Sequence, residues 1–194
     1  MPRIRVVSFY TRGPYALEAQ ALVESGKAHG VAVEAFERGP FPSWREAVCH
    51  KPRFIREQYE ATTEDYDGLL WMDADARFMA TPPWGILDGI DYAITLFRWS
   101  ASHPQETLTG TLYFRKTNAA LMLLQDWERE TERWAKEKDT PEQKALAQVH
   151  ARQRGLAFLD LPLTWTWILP EFDVRYPGEK PFIVHMQASR RFKY

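Results

Sequence analysis

The chain has 194 residues, of which 45% are hydrophobic and 14% aromatic, and 25 basic against 26 acidic side chains give a formal net charge of −1. This composition supports a sizeable core and argues against disorder. The near-neutral charge excludes a global field that would recruit nucleic acid or a membrane surface. The single cysteine, Cys49, excludes an intramolecular disulfide and a cysteine-based zinc cluster.

The N-terminal segment MPRIRVVSFY is too short and too charged for a signal peptide. No apolar run is long enough to span a bilayer, so we expect a cytoplasmic protein with no membrane span. No repeat, low-complexity tract or linker interrupts the chain, and residues 1–194 are expected to form one domain. The oligomeric state is not predicted.

Strand and helix patterns alternate along the first half of the chain. Apolar, β-branched runs predict strands, and apolar residues at helical spacing predict the helices between them. The predicted strands end near residues 9, 36, 72 and 97, and the helices cover residues 14–30 and a segment from Ser43 or Pro52 to Glu60. The strand–helix–strand order predicts an α/β fold whose central, mostly parallel sheet is flanked by helices.

The second half continues with a loop at residues 98–106 and a strand that ends at residue 115. One helix is predicted from Thr117, and another begins at Pro141 after a Thr140 cap and ends at Gly155. A short strand, an aromatic segment punctuated by proline and glycine, a last strand and a basic tail complete the chain.

The segment DYDGLLWMDADARF, residues 65–78, carries an apolar run that ends in Asp73 and Asp75. Ligands of open α/β sheets bind beyond the carboxyl ends of strands, and residues two apart on an extended segment point the same way. Two such carboxylates suit Mg²⁺ or Mn²⁺, which also accepts phosphate oxygens, so a diphosphate ligand is indicated. The alternatives are solvated turn residues or an ion pair with Arg77.

The same two aspartates are also typical of haloacid-dehalogenase-type phosphatases, in which the first is a nucleophile and a threonine follows at the fifth position. Arg77 occupies that fifth position here, and the motif falls after two earlier strands. This interpretation is therefore the weaker one.

Five segments, in their order along the chain, resemble the motifs of GT-A-fold glycosyltransferases, which use nucleotide-sugar donors. The segments are SFYT (8–11), HKPRFI (50–55), WMDADARF (71–78), TGTLYFRKT (109–117) and FIVHMQ (182–187), whereas TPEQKAL (140–146) departs from the family pattern. The resemblance implies that Asp75 and His185 bind Mn²⁺ or Mg²⁺, while Asp73 contacts the donor ribose or metal-bound water. It makes Asp73 and Asp75 both metal-site and catalytic candidates.

The resemblance also implies a set of donor contacts. Tyr10 and Thr11 would bind a uracil-like base, Lys51 and Arg56 the phosphates, and Gly110 the sugar. Each has a structural alternative, because an aromatic residue can close a strand, RFIREQ is an ordinary solvated helix face, and a strand glycine can mark a bulge.

Glu142 and Gln143 take the place of the family's Asp-Gln segment. The resemblance makes Glu142 a catalytic candidate that would bind sugar hydroxyls or flank the anomeric carbon, and Gln143 a donor contact. Thr140 and Gln143 also have the spacing of a capping box, which explains Gln143 structurally.

Several tryptophans and the tail could contact the acceptor. Trp99, Trp165 and Trp167 lie in loop-like segments, where they could form a platform for a sugar or a base. The tail SRRFKY (189–194) suits a phosphate-bearing or polymeric acceptor, although a solvated terminus explains it as well.

The sequence therefore predicts a metal-dependent glycosyltransferase of the hexosyltransferase class. It would move a sugar from a nucleoside-diphosphate sugar, with UDP expected, to an acceptor hydroxyl on a glycan, a protein, a lipid-linked sugar or a hydroxylated nucleobase in DNA. The PEQ segment favours retention of configuration, whereas inversion would need a base, for which Glu106, Asp160 and Glu142 are candidates. The alternatives are a nucleotidyltransferase or pyrophosphorylase, whose Gly-rich basic loop is missing here, and a non-catalytic nucleotide- or nucleic-acid-binding module.

Overall fold

A computed structural model describes residues 1–135 and 141–192. The predicted strands and helices occur in their predicted order, and the short elements at residues 76–78, 167–168, 171–175 and 188–192 were not predicted. In chain order the elements are β1 (Ile4–Tyr10), α1 (Pro14–Ala28), β2 (Val33–Glu37), α2 (Trp44–Glu60), β3 (Gly68–Met72), β4 (Ala76–Phe78), β5 (Tyr92–Phe97), β6 (Glu106–Arg115), α3 (Asn118–Trp134), α4 (Pro141–Arg152), β7 (Phe158–Asp160), β8 (Trp167–Ile168), α5 (Glu171–Arg175), β9 (Ile183–His185) and α6 (Ala188–Phe192).

The central sheet has six strands in the order β2-β1-β3-β6-β5-β7. Its β1–β2, β1–β3 and β5–β7 pairs are parallel, and β6 runs antiparallel to both of its neighbours. All five residues of β3 are buried, which explains why this strand is an unbroken apolar run and not an alternating one. The predicted α/β fold with a mostly parallel central sheet is confirmed.

Helices α2, α3 and α4 cover one face of the sheet. Their apolar residues pack with Trp71 and Phe114 in one core cluster. Side-chain caps begin two of these helices, α2 at the first of its two predicted starts, Ser43, and α3 at its predicted start, Thr117. Ser43 accepts a hydrogen bond from the Glu46 N–H, and Thr117 accepts one from the Ala120 N–H. The predicted Thr140 cap of α4 lies outside the described residues.

The other face of the sheet packs against α1 and against a second, three-stranded sheet in the order β4-β9-β8. In this sheet β4 is antiparallel to β9, and Ala76 pairs with His185. Because Ala76 follows Asp75 directly, this pairing carries His185 to the aspartates at the end of β3. The pairing of β4 with β9, each three residues long, therefore brings distant parts of the chain together at the candidate site.

In the described part of the chain, every helix is either too short or too polar to cross a bilayer.

Candidate active site

A cleft of about 1130 Å³ opens at the carboxyl ends of β1 and β3. Its wall includes predicted site residues from six separate segments, most of which are the end of a strand or the start of a helix, whereas Lys51 lies within α2 and Gly110 within β6. These residues are Tyr10, Thr11, Lys51, Asp73, Asp75, Gly110, Glu142, Gln143 and His185. Of the residues predicted to bind the donor or the metal, Arg56 is absent from this wall.

Asp73, Asp75 and His185 form a compact cluster in the cleft. Each offers a ligand atom, and the three atoms lie within 4.8 Å of one another. Asp75 and His185 are buried at 9% and 3% exposure, whereas Asp73 is half-buried. Two carboxylate oxygens and an imidazole nitrogen suit Mn²⁺ or Mg²⁺, and the half-open cluster leaves space for ligand oxygens. The donor set therefore fits the predicted divalent ion.

Hydrogen bonds to neighbouring groups fix two members of this cluster. The Thr111 hydroxyl lies 2.9 Å from His185 Nε2, and His185 Nδ1 lies 3.8 Å from Asp75 Oδ1. The Ala188 N–H donates to Asp75 Oδ2 over 2.7 Å. These partners leave His185 Nδ1 and Asp75 Oδ1 directed toward a common space, as metal ligands must be.

The charge on Asp75 is stabilised by its neighbours. Burial raises the pKa of Asp75, but His185, the Ala188 N–H and Lys51 together outweigh it, so the pKa lies below the ordinary value of 3.8. Asp75 is therefore an ionised carboxylate at neutral pH, the form that binds a cation.

Lys51 forms a buried ion pair with the first aspartate. Its Nζ lies 2.8 Å from Asp73 Oδ1, and its hydrogen bonds to Thr109 complete its coordination. The indole N–H of Trp71 donates to the same Asp73 oxygen over 3.1 Å. Burial lowers the pKa of Lys51, but the charges of Asp73 and Glu142 raise it by more. The pKa therefore lies above its ordinary value, and Lys51 stays cationic. Lys51 thus holds Asp73 in place.

Glu142 is a buried carboxyl group in the same wall, with 3% exposure. Its Oε2 atom is buried and has no hydrogen-bond partner among the described residues. Burial raises the pKa of Glu142 above its ordinary value of 4.5, although the charge of Lys51 acts in the opposite direction. A buried oxygen without a partner can accept a hydrogen bond from a ligand hydroxyl that reaches it.

Glu142→Gln should stabilise the protein at high pH. Because the pKa of Glu142 is raised in the folded state, the wild type loses stability as the pH rises from 4.5 through the folded pKa. Glutamine does not ionise, so the variant does not lose this stability. We expect a gain of about 1 kcal/mol, roughly 2–4 °C in Tm, at pH 8 and none near pH 4. Thermal denaturation across that range measures it, with the exposed Glu179→Gln as the control. A difference that is constant with pH would contradict the buried-carboxylate account.

Gly110 lies directly beneath the ring of His185. A Cβ atom at this position would meet His185 Cε1 at 2.7 Å, and that ring is buried. The pairing of β5 with β6 is irregular between Ala93 and Thr95, opposite this stretch. The strand irregularity predicted as the alternative for Gly110 is therefore present, and the close contact of Gly110 is with His185, while its contact with the donor sugar stays a prediction.

Gly110→Ala should displace His185 and weaken Mn²⁺ binding about tenfold, because the added methyl group has no space. Gly85→Ala is the matched control, since nothing lies within 4 Å of the Cβ atom it would add. Titration with Mn²⁺ followed by electron paramagnetic resonance measures the affinity. Equal affinities for the two variants would exclude His185 as a ligand.

Some sequence predictions are corrected by the structure. Arg56 is turned toward α3, where its guanidinium contacts Glu128 over 2.6 Å and Glu60 over 2.7 Å. Asp160 accepts a hydrogen bond from the Leu96 N–H outside the cleft, so it is not a base for this site. Arg77 pairs with Glu18 and not with the aspartates, which removes that alternative for the motif.

The three tryptophans predicted to lie in loops have different environments. Trp165 and Trp167 are buried at 0% and 1% exposure, so they are core residues and not platforms. Trp99 is half-buried and lines the cleft. Of the basic tail, Ser189 and Arg190 also line the cleft, and the Arg190 guanidinium contacts Glu171.

Sequence reasoning missed several residues of the wall, among them Tyr15, Trp44 and Gln187. Burial, followed by the charges of Asp75 and Asp73, raises the pKa of Tyr15 to about 12. Its position after the loop that leaves β1 was a usable signal. Gln187 has a positive φ of 52°, rare for a non-glycine residue, and nothing in its sequence context indicates that.

No protein-family model matches the sequence, and no curated protein matches it. In three dimensions, however, the chain is similar to the crystal structure of a glycosyltransferase involved in the glycosylation of the major capsid of PBCV-1. The TM-score is 0.71 at 19% sequence identity, over 96% of this chain and 93% of that chain. The architecture is therefore GT-A-like, the glycosyltransferase fold that the order of the motifs predicts.

Proposed function

We propose that this protein is a metal-dependent glycosyltransferase that moves a hexose from a nucleoside-diphosphate sugar, with UDP as the expected nucleotide, to an acceptor hydroxyl. One observation carries the proposal. Asp73 and Asp75 converge with His185, which lies far from them in the sequence, in the large cleft of a glycosyltransferase fold.

Asp75 and His185, with Asp73 beside them, would hold the divalent ion. When bound, Mn²⁺ or Mg²⁺ would act as a Lewis acid that stabilises the nucleoside-diphosphate leaving group. The chain contributes a preformed ligand set, because Thr111 orients His185, the Ala188 N–H orients Asp75 and Lys51 orients Asp73. Preorganised groups lower the barrier because they need not rearrange during the reaction.

The remaining donor contacts follow the shape of the cleft. Tyr10 and Thr11, at the end of β1, are proposed to bind the nucleobase. Gly110 lets the backbone of β6 approach the sugar, and the unsatisfied Glu142 Oε2 would accept a sugar hydroxyl, with Gln143 next to it. Lys51 would position Asp73 and neutralise part of the negative charge near the donor phosphates, because its ammonium is already bound to that carboxylate.

The proposed reaction joins the acceptor oxygen to the anomeric carbon as the bond to the diphosphate breaks, with an oxocarbenium-like transition state. We favour retention, in which departure and attack occur on one face without an obligatory base. If configuration were inverted, the base would come from Glu106 or Glu142, since both line the cleft. NMR of the product linkage distinguishes the two outcomes.

The test is release of nucleoside diphosphate from UDP-glucose, UDP-galactose and UDP-N-acetylglucosamine, with and without Mn²⁺. The proposal expects release from at least one donor that stops when EDTA is added. Pyrophosphate release from nucleoside triphosphates and sugar phosphates would instead identify a pyrophosphorylase. Inactivity toward every nucleotide sugar, with intact nucleotide binding, would leave the binding-module alternative in its place.

A further inference from the structure

Glu106 and Trp99 form a polar–aromatic pair in the cleft that the metal cluster does not use. Glu106 is the first residue of β6, and Trp99 lies in the loop that joins β5 to β6. The indole N–H of Trp99 donates to Glu106 Oε2 over 2.9 Å. Both residues line the cleft, and Oε1 of Glu106 has no hydrogen-bond partner in the described part of the chain.

The indole of Trp99 is held rigidly from behind. Its ring packs edge-on against Phe97 with centroids 4.8 Å apart, and against Phe172 at 5.9 Å. The guanidinium of Arg175 lies over the ring at 6.0 Å and donates to the Trp99 carbonyl. A half-buried aromatic ring fixed in this way loses little conformational entropy when a ligand packs against it.

Strand β6 connects this pair to the metal cluster. Glu106, Leu108 and Gly110 are alternate residues of β6, and all three line the cleft. Gly110 underlies His185, and four residues of strand span at most about 14 Å. The pair therefore lies in the same cleft as the metal cluster, near enough along β6 for a sugar bound there to face a donor held at the metal.

We propose that Trp99 and Glu106 form the acceptor subsite and that the acceptor they bind is a pyranose, the terminal sugar of a glycan. The apolar face of the ring would pack on the indole, and a hydroxyl would donate to Glu106 Oε1. This inference rests on the proposed function. An ionised carboxylate only accepts hydrogen bonds, so it selects a ligand rich in hydroxyl donors, and it repels the phosphates of a nucleic-acid acceptor.

The experiment uses the full chain loaded with Mn²⁺ and with the nucleoside diphosphate that stabilises it. Methyl hexopyranosides and hydroxymethylated pyrimidine nucleosides are added as probes, and their binding is followed by ligand-detected saturation-transfer NMR. The variants are Trp99→Ala, Trp99→Phe and Glu106→Gln. Trp134→Phe is the matched control, because the Trp134 indole donates to Glu130 on α3, outside the cleft.

We expect at least one pyranoside to bind wild type and Trp134→Phe equally, with affinity lower by about tenfold in Trp99→Ala. Trp99→Phe keeps the platform but loses the N–H that orients Glu106, so it and Glu106→Gln should have intermediate affinities. Unchanged binding in Trp99→Ala, or no pyranoside binding to the loaded wild type, would overturn the subsite.

Nucleoside binding that depends on Trp99, without pyranoside binding, would overturn the sugar class of the acceptor. Failure of the proposed function looks different, because then the wild type would release no nucleoside diphosphate from any nucleotide sugar. Donor release by the wild type, measured beside the binding experiment, therefore separates the two failures.

Discussion

Asp75→Asn is expected to lower the rate of nucleoside-diphosphate release about 10³-fold and to weaken Mn²⁺ binding about 100-fold or more. Asp75 is the ionised, buried carboxylate of the cluster, and the amide that replaces it carries no charge to hold a cation. The amide oxygen can still accept the Ala188 N–H, so the free energy of unfolding should change by only about 1 kcal/mol.

Asp88→Asn is the control for this variant, because Asp88 is exposed and lies outside the cleft. It should keep the Mn²⁺ affinity and the rate of the wild type. Isothermal titration with Mn²⁺ and the donor-release assay measure the two quantities. If Asp75→Asn bound Mn²⁺ as tightly as the wild type, the cluster would not be the metal site.

Lys51→Met should lower the free energy of unfolding in EDTA by about 3 kcal/mol, which is roughly 6–12 °C in Tm. The ammonium of Lys51 is the buried partner of Asp73 and lies in the field of Asp75 and Glu142. Methionine fills the volume but leaves these carboxylates without that charge. The estimate stays at the low end for a broken buried pair because 34% of the Asp73 side chain remains exposed.

Mn²⁺ should restore part of the stability that Lys51→Met loses, since a divalent ion can supply positive charge to the same carboxylates. The control is Lys116→Met, whose ammonium donates to the Tyr59 carbonyl instead of a carboxylate and lies outside the cleft. It should lose little stability and gain nothing specific from Mn²⁺. Denaturant titrations of both variants with EDTA or Mn²⁺ test this, and a loss that Mn²⁺ does not reverse would indicate a packing defect only.

The strands of the central sheet and the Asp73/Asp75 motif were predictable because several local sequence signals agree at these positions. A fully apolar run followed by two aspartates gave both β3 and the position of Asp73 and Asp75 at its carboxyl end. Thr117 predicted the start of α3, and Ser43 was one of two predicted starts of α2; short-range hydrogen bonds to the two hydroxyls fix both helix starts. Such features depend on a few neighbouring residues, so the sequence determines them directly.

The error on Arg56 has a geometric cause. Lys51 and Arg56 are five residues apart on α2, which places them about 140° apart around the helix axis. One side chain therefore faces the cleft and the other faces α3 and Glu128. Helical periodicity already excluded a shared phosphate-binding role for the two.

Local sequence signals could not predict how the strands of the second sheet pair. Its strands have two or three residues each, and the pairing of Ala76 with His185 joins positions far apart in the chain. Such pairings depend on the packing of the whole core and not on local propensity. For the same reason the burial of Trp165 and Trp167 could not be inferred from their loop-like surroundings.

The most direct test of a metal-assisted nucleotide-sugar site is a thermal-shift panel of UDP, GDP, CDP and ADP on the wild-type protein, each with Mn²⁺ or with EDTA. A ligand that binds only the folded state raises Tm by mass action. The proposed site predicts a rise for one nucleotide, UDP, that requires Mn²⁺. No rise with any nucleotide, or a rise of the same size in EDTA, would contradict it.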